Sequence, residues 1–358
     1  MTLIRAAVCH AFGEPLVVEE VELAQPEGRS VEVTLEACAI CHSDISYADG
    51  IWGGTLPAVY GHEAAGRITA VGDQVGGLKV GDKVIVTLIR SCGTCSPCAS
   101  GKPTACETPG GPQSLSMPDG SALLAAMNCG AFAEKVVVDQ SQIAIVPEDM
   151  PADVASLLSC GVITGIGAVV NAARLRPGQD AVVIGAGGVG LNAIQGARIA
   201  GARRIVAVDM TEEKLSDARE FGATDGVLAT DAAPWQKVSD LIGRKADAVF
   251  VTVGAIPAYD SAPRYLAPGG RLVMVGMPAS GAMSAYEPDV FASLSQGMVG
   301  SKMGNVVLSR DIPWLVDLYL QGRLKLDELV SKRWPLEQIN EAISDTKSGA
   351  ARRNVIVF

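Results

Sequence analysis

Four cysteines fall within fifteen residues, in the run Cys92-Gly-Thr-Cys95-Ser-Pro-Cys98 followed after seven residues by Cys106. Four thiolates closing at about 2.3 Å make a tetrahedral zinc site with no position open to water, an arrangement that holds a fold together and does not catalyse. Gly93 and Pro97 supply the turns of this loop. Redox exchange at Cys95 and Cys98 is the alternative chemistry, and it would need that pair free of metal. A second set is scattered along the chain: Cys41-His42-Ser43-Asp44, then Gly61-His62-Glu63, then Cys160. Two thiolates and one imidazole would leave a fourth position for water or substrate, as catalytic zinc requires. Spacing alone does not assemble this set, because a histidine beside a glycine also serves as an ordinary structural residue.

A third constellation concerns phosphate. Gly185-Ala-Gly187-Gly188-Val189-Gly190 follows the apolar run Asp180 to Ile184 and opens a stretch of helical periodicity. Glycines in that pattern give a tight turn, close backbone approach to a pyrophosphate and close packing of helix on strand, with the helix N-terminus receiving the phosphates. The next apolar run, Arg204 to Val208, ends in Asp209, nineteen residues after Gly190, where a carboxylate can bind the adenosine ribose and repel a 2′-phosphate. NAD is therefore favoured over NADP. Lys214 could reach the ribose edge or be a solvated lysine in the first turn of a helix.

These groups need two different scaffolds. Up to about residue 150 the chain reads as short strands between glycine turns: Val31 to Ala37 alternates with period two, and Ala64 to Val71, Lys83 to Ile89 and Phe132 to Val138 are strand-like. That texture suits a compact barrel-like domain. From Pro177-Gly178 onward strand and helix alternate, with strands at Asp180 to Ile184, Arg204 to Val208, Ala246 to Val251 and Arg271 to Val275. Helices are expected at Val189 to Ala200 and Glu212 to Phe221. This is the α/β signature of a doubly wound parallel sheet. After about 303, helices at Asp311 to Leu320 and Leu336 to Thr346 and a strand at Asn354 to Phe358 are expected to rejoin the first domain.

The 358 residues are 48% hydrophobic and 19% charged, which excludes a disordered or low-complexity chain. A net charge of −10 with no basic block and 4% aromatics argues against nucleic-acid partners. Val154 to Ala173 is uncharged and long enough to cross a bilayer at roughly 1.5 Å per residue. It carries Ser156, Ser159, Thr164 and Asn171 and runs into the glycine motif, so a buried helix and turn is expected and no membrane association. No secretory signal is read at the start and no glycosylation sequon occurs, so the nine cysteines are expected as thiols or metal ligands in a cytoplasmic protein.

Taken together, Gly61-His62-Glu63-Ala-Ala-Gly66, the four-cysteine loop, Cys160-Gly-Val-Ile-Thr164-Gly and the glycine motif resemble the zinc-dependent medium-chain alcohol dehydrogenases, over essentially the whole chain. The resemblance implies a β-rich GroES-like catalytic domain of residues 1–161 and 303–358, with a structural zinc lobe near 92–106. It implies a Rossmann NAD-binding domain of residues 162–302, with zinc and nicotinamide in a cleft between the two. Cys41, His62 and Cys160 match the catalytic zinc ligands, with Asp44 and Glu63 behind them, and Cys92, Cys95, Cys98 and Cys106 match the structural zinc ligands. Thr164 matches a nicotinamide contact, Asp209 and Lys214 the ribose contacts, His42 and Arg353 the positions that neutralise pyrophosphate, and Ser43 the hydroxyl that takes the alcohol proton. By register Trp52, Leu88, Met127 or Ala126, and Met277 line the substrate channel, although Trp52 could equally pack the domain.

The implied reaction is reversible hydride transfer between a primary alcohol or aldehyde, aliphatic or aromatic, and NAD(H), in a homodimer or homotetramer with two zinc ions per subunit. A polyol dehydrogenase is disfavoured because Cys160 stands where that branch carries glutamate. Glutathione-linked formaldehyde oxidation is disfavoured because 107–129 holds no Lys or Arg. A catalytically idle zinc- and NAD-binding sensor or structural protein is the reading from another class. Two departures stand out: Ser46 occupies the place of a surface histidine that carries the proton outward in many relatives, and His42 replaces an arginine found in some members.

Overall fold

The computed structural model describes residues 1–108, 110 and 113–358 and divides into two units. The first comprises Met1–Cys160, Val307–Gly322 and Leu326–Phe358. Short strands close a barrel in the order Thr2–Cys9, Val17–Leu23, Leu115–Ser116, Ala122–Ala125 and Ala58–Val59. Beside it runs a seven-stranded sheet in the order Ile143–Ile145, Lys83–Thr87, Glu63–Val71, Ser30–Ala39, Arg353–Val357 and Val330–Pro335, with Lys135–Asp139 also paired to Ser30–Ala39. Alternating Val31, Val33 and Leu35 are buried, and they join Ile4, Val21, Ile68, Val84 and Phe132 in one core. The C-terminal strand pairs antiparallel with Ser30–Ala39, matching Val355 to Ala39. That pairing brings Arg353, from the far end of the chain, into this sheet.

The second unit is Gly161–Val306 with Arg323–Lys325. Its six strands are all parallel, in the order Asp225–Leu228, Arg204–Asp209, Asp180–Ile184, Ala246–Val251, Leu266–Met274 and Gly297–Gly300. Numbered along the chain this is 3-2-1-4-5-6, the doubly wound order that binds dinucleotides where the strand order reverses. The two edge strands were not visible in the sequence, because Asp225-Gly-Val-Leu and Gly297-Met-Val-Gly are short and half glycine or acidic.

Several boundaries shift from those expected. The division falls after Cys160 and at Val307 instead of at 161 and 303, because the Lys302–Asn305 turn packs its backbone on the Gly161–Gly167 helix. A Cβ on Gly304 would meet the Ile163 carbonyl at 2.1 Å. Arg323–Lys325 goes with the second unit because Gln195 bonds both the Lys325 amide and its carbonyl. The helix expected at Asp311 starts at Leu308, since the Asp311 carboxylate accepts the Val307 amide at the helix start. The apolar run 154–173 is broken helix: Ala152–Ser156, a 3-10 turn to Ser159, a break at Cys160 (φ −147), then Gly161–Gly167 and a π-helical end. Among the described residues no single helix is long and apolar enough to cross a membrane.

Candidate active site

The site is organised around one carboxylate. Cys41 caps the short helix His42–Ala48, which places Asp44 one turn in and buried. Asp44 accepts the Cys41 amide at 3.0 Å, the Gly61 amide at 2.9 Å and His62 Nδ1 at 2.9 Å. The Gly61-His62 segment is thus tied through one side chain to the turn that Cys41 opens. Gly61 is required here: its φ is +91°, and a Cβ would lie 2.5 Å from the Phe132 amide nitrogen. Nδ1 donates to the Asp44 carboxylate, and the fully buried Nε2 has no hydrogen-bond partner among the described residues, so in the neutral ring its lone pair is left for a metal. An imidazole held in this tautomer by a carboxylate is the usual state of a metal-ligating histidine.

Ligand atoms of Cys41, His62, Glu63 and Cys160 all lie within 4.8 Å of one another, and all four residues are buried. Cys160 reaches the cluster from the break between two helical segments, and Glu63 opens the strand Glu63–Val71. The Cys160 thiol, hydrogen-bonded to Cys41, pulls the Cys41 thiol well below its ordinary value against the opposing effect of burial. Cys160 is pushed well above its ordinary value by the same contact and by burial. A divalent cation would be bound by both thiolates, with Nε2 of His62 as a third donor. Burial pushes the Glu63 carboxyl up to about 7, opposed by the charge of Arg353.

The four-cysteine loop forms a second cluster, with all four sulfurs within 4.8 Å. Cys95 caps the one-turn helix Ser96–Ala99 that carries Cys98, and a 3-10 turn, Pro103–Ala105, delivers Cys106. Amides of Thr94 and Cys95 donate to Cys92 Sγ at 3.4 and 3.3 Å, and the Cys92 amide donates to Cys106 Sγ at 3.4 Å. Backbone donors aimed at sulfur stabilise thiolates. The Cys95 and Cys106 sulfurs are 3.9 Å apart, close to the tetrahedron edge of about 3.8 Å that four bonds of about 2.3 Å imply. Both clusters fit zinc by donor set and spacing.

In the second unit the glycine motif divides its labour. Gly185 has φ +98°, and a Cβ there would meet Val253 at 2.4 Å; a Cβ on Gly190 would lie 1.8 Å from the Gly185 carbonyl oxygen. Gly187 differs: among the described residues nothing beyond its chain neighbours lies within 4 Å of where its Cβ would be, and it precedes the first turn of the helix Gly188–Ile199. Two glycines serve the chain's own packing, and the third leaves open the space above a helix N-terminus, which fits a pyrophosphate. Gly188 and Val189 begin that helix.

Residues 27–148 match the family model described as alcohol dehydrogenase GroES-like domain, and 188–321 match zinc-binding dehydrogenase. The chain is 35% identical to the NDMA-dependent alcohol dehydrogenase of Amycolatopsis methanolica, across 99% of this chain and 98% of that one. The chain belongs to the zinc-dependent medium-chain alcohol dehydrogenases. Two solved structures match the fold of this dehydrogenase. An alcohol dehydrogenase zinc-binding domain protein from Burkholderia ambifaria has a TM-score of 0.95 and 32% identity, covering 100% of this chain and 99% of that one. The benzyl alcohol dehydrogenase of Acinetobacter calcoaceticus gives 0.94 and 28%, with both chains fully covered.

The remaining expected site residues of the dehydrogenase fall as follows. His42 and Ser43 occupy the first turn beyond Cys41, His42 exposed and Ser43 half-buried. Arg353, which the resemblance places at the pyrophosphate, has a guanidinium 6% exposed that pairs with Glu63, because the C-terminal strand begins beside the cysteine–histidine cluster. Asp209 accepts the Ala186 amide at 2.6 Å and the Met210 amide at 2.7 Å, so it braces the glycine turn. Lys214 is half-buried in the first turn of Glu212–Phe221, its amide capped by Thr211. The buried Thr164 hydroxyl donates to Met303 Sδ at 3.8 Å. Trp52 packs edge-on against Tyr47, ring centres 5.1 Å apart. Leu88 and Met127 are partly buried against the first unit's core, while Met277, in the second unit, is 60% exposed.

Proposed function

We propose that the enzyme interconverts a primary alcohol, with an aliphatic or aromatic tail, and its aldehyde, using NAD(H) and two zinc ions per subunit. The carrying observation is the buried cluster of Cys41, His62 and Cys160, whose His62 Nε2 has no hydrogen-bond partner among the described residues. These three residues would hold one zinc, and Cys92, Cys95, Cys98 and Cys106 the other. Bound zinc supplies Lewis acidity that brings the pKa of an alcohol hydroxyl from about 16 toward neutrality, and bound NAD accepts the hydride. The chain's own residues prepare the site. Asp44 fixes the His62 tautomer and the position of Cys41, while Arg353 balances the buried Glu63 carboxylate. Ser43 is the hydroxyl that takes the alcohol proton, and with Ser46 in place of an imidazole the proton leaves through water.

Asp209 supports NAD over NADP, since a carboxylate at the end of that strand repels a 2′-phosphate. Trp52, Leu88 and Met127 are the pocket residues in this reading. Being apolar, they favour a hydrocarbon tail over a polyol, whose hydroxyls would go unpaired. None of the nine cysteines is in a disulfide, which suits a reducing compartment such as the cytoplasm. Initial rates with NADH over acetaldehyde, hexanal, benzaldehyde and cinnamaldehyde, with zinc quantified on the same sample, test the reading. A tail preference at about two zinc per subunit supports it. No turnover on any aldehyde at full zinc occupancy would overturn it.

A further inference from the structure

Leu88 and Met127 come from different parts of the first unit, a strand end and a turn, so something must hold them at a fixed spacing. The backbone carbonyls next to both end on one side chain. Gln142 is 1% exposed and closes the short turn Gln140–Gln142. Its Nε2 donates to the Thr87 carbonyl at 2.9 Å and to the Asn128 carbonyl at 3.0 Å, with Cys129 Sγ a further acceptor at 3.6 Å. Its Oε1 accepts the Asp139 amide at 3.2 Å. Carbonyls surround the nitrogen and an N–H faces the oxygen, so only one orientation of this amide satisfies its neighbours.

Both carbonyls belong to backbone that needs holding. Thr87 is the last residue of the strand Lys83–Thr87, and Leu88 is the first to leave it. The neighbouring residue Ser141 holds the other end of the departing segment, its Oγ accepting the Ser91 amide at 3.0 Å. On the other side, Met127 (φ 52, ψ 31) and Asn128 (φ 59) are consecutive left-handed residues with side chains. L-residues keep that conformation only where surrounding contacts fix it. The Asn128 carbonyl is where Gln142 grips the turn.

We propose that Gln142 is a specificity-determining positioning residue: it fixes the spacing between the Leu88 and Met127 walls and so sets which tail fits, without touching the substrate. The inference rests on the assignment of Leu88 and Met127 to the pocket. Gln142→Met keeps the length and burial of the side chain and removes every polar contact. The test is the ratio of kcat/KM for benzaldehyde to that for acetaldehyde, with KM for NADH and zinc content as controls. Hydrogen exchange over 126–132 supplies a readout independent of turnover.

The expected result is a change in that ratio of about fivefold or more, faster exchange over 126–132, and unaltered zinc content and KM for NADH. A general loss of stability would instead lower both rates together; a ratio within about twofold of wild type overturns the proposal. Leu88→Ala separates the two levels. If it shifts the ratio and Gln142→Met does not, the role of Gln142 is wrong and the pocket stands; if neither shifts it, the pocket assignment falls and the inference with it. Should Gln142→Met not fold, Gln142→Glu, which keeps an oxygen for the Asp139 amide and replaces the donors, is read by the same ratio.

Discussion

Alanine at Gly187 should weaken coenzyme binding and leave the fold intact, whereas alanine three residues on, at Gly190, should damage the fold itself. At Gly187 φ −77 and ψ −174 are ordinary extended angles, and among the described residues the new methyl would meet nothing beyond its chain neighbours within 4 Å. The cost to the helix Gly188–Ile199 is the loss of a glycine cap, under about 1 kcal/mol. A phosphate oxygen, however, must come within about 2.9 Å of a backbone nitrogen to be bound, and a methyl carbon holds an oxygen beyond roughly 3.3 Å. Weakening one charge-assisted bond worth about 1.5–3 kcal/mol raises the Kd for NADH about tenfold to a hundredfold.

At Gly190 the methyl carbon would stand 1.8 Å from the Gly185 carbonyl oxygen and 2.8 Å from its carbon, both backbone atoms that cannot turn aside. Helix and strand must separate, and that cost outweighs the roughly 1 kcal/mol alanine gains over glycine inside a helix. NADH fluorescence titration and thermal melts of both variants at matched zinc content read the two effects separately. A Gly187→Ala protein that bound NADH as tightly as wild type would refute the placement of the pyrophosphate.

Four further outcomes are expected. Asp44→Asn puts an amide where the carboxylate accepts three donors, and zinc affinity in chelator competition should fall about tenfold to a hundredfold; unchanged affinity would separate Asp44 from the metal site. Cys98→Ala should lower the melting temperature and reduce bound zinc from about two to about one per subunit, and retention of both ions would show that the loop is not a zinc lobe. Asp209→Ala should raise the KM for NAD and improve NADP relative to NAD about tenfold; an unaltered ratio of the two coenzymes counts against the ribose assignment. Burial pushes the Asp180 carboxyl up, but hydrogen bonds and charge from Arg203 and Arg244 outweigh it and hold it below its ordinary value.

A carboxylate depressed in this way stabilises the fold above its ordinary range, and the contribution is lost as pH falls through the folded value. With both guanidinium side chains 48% exposed, Asp180→Asn should cost about 2 kcal/mol near pH 7. The difference in urea midpoint from wild type should close below about pH 4, and a difference independent of pH would argue against the ion pairs.

What the sequence determined by itself was whatever is encoded at short range. The four-cysteine loop declares its ligands within fifteen residues, and Gly185 to Gly190 with the following Asp209 reads as a nucleotide turn because periodicity and glycine placement are local properties. The strands Asp180–Ile184 and Ala246–Val251 were legible for the same reason, each being an apolar run buried on both faces with a single aspartate, Asp180 or Asp247, near its start. The edge strands were not, because half their residues carry no apolar signal.

The cluster proposed as catalytic lay beyond the local signal. Cys41, His62 and Cys160 are joined by a resemblance in sequence and by sheet pairing in space, and only the folded chain shows that one Asp44 carboxylate gathers Cys41, Gly61 and His62. The tertiary structure alone put Arg353 against Glu63, since the partners are 290 positions apart and meet only when the last strand pairs with Ser30–Ala39. Gln142 carried no sequence signal at all: a lone glutamine in a polar turn becomes a positioning group only because the fold brings the Thr87 and Asn128 carbonyls to its amide nitrogen. Hydrogen-bonding groups and metal ligands act through distances of a few ångströms, and between residues far apart in the chain those distances are set by packing.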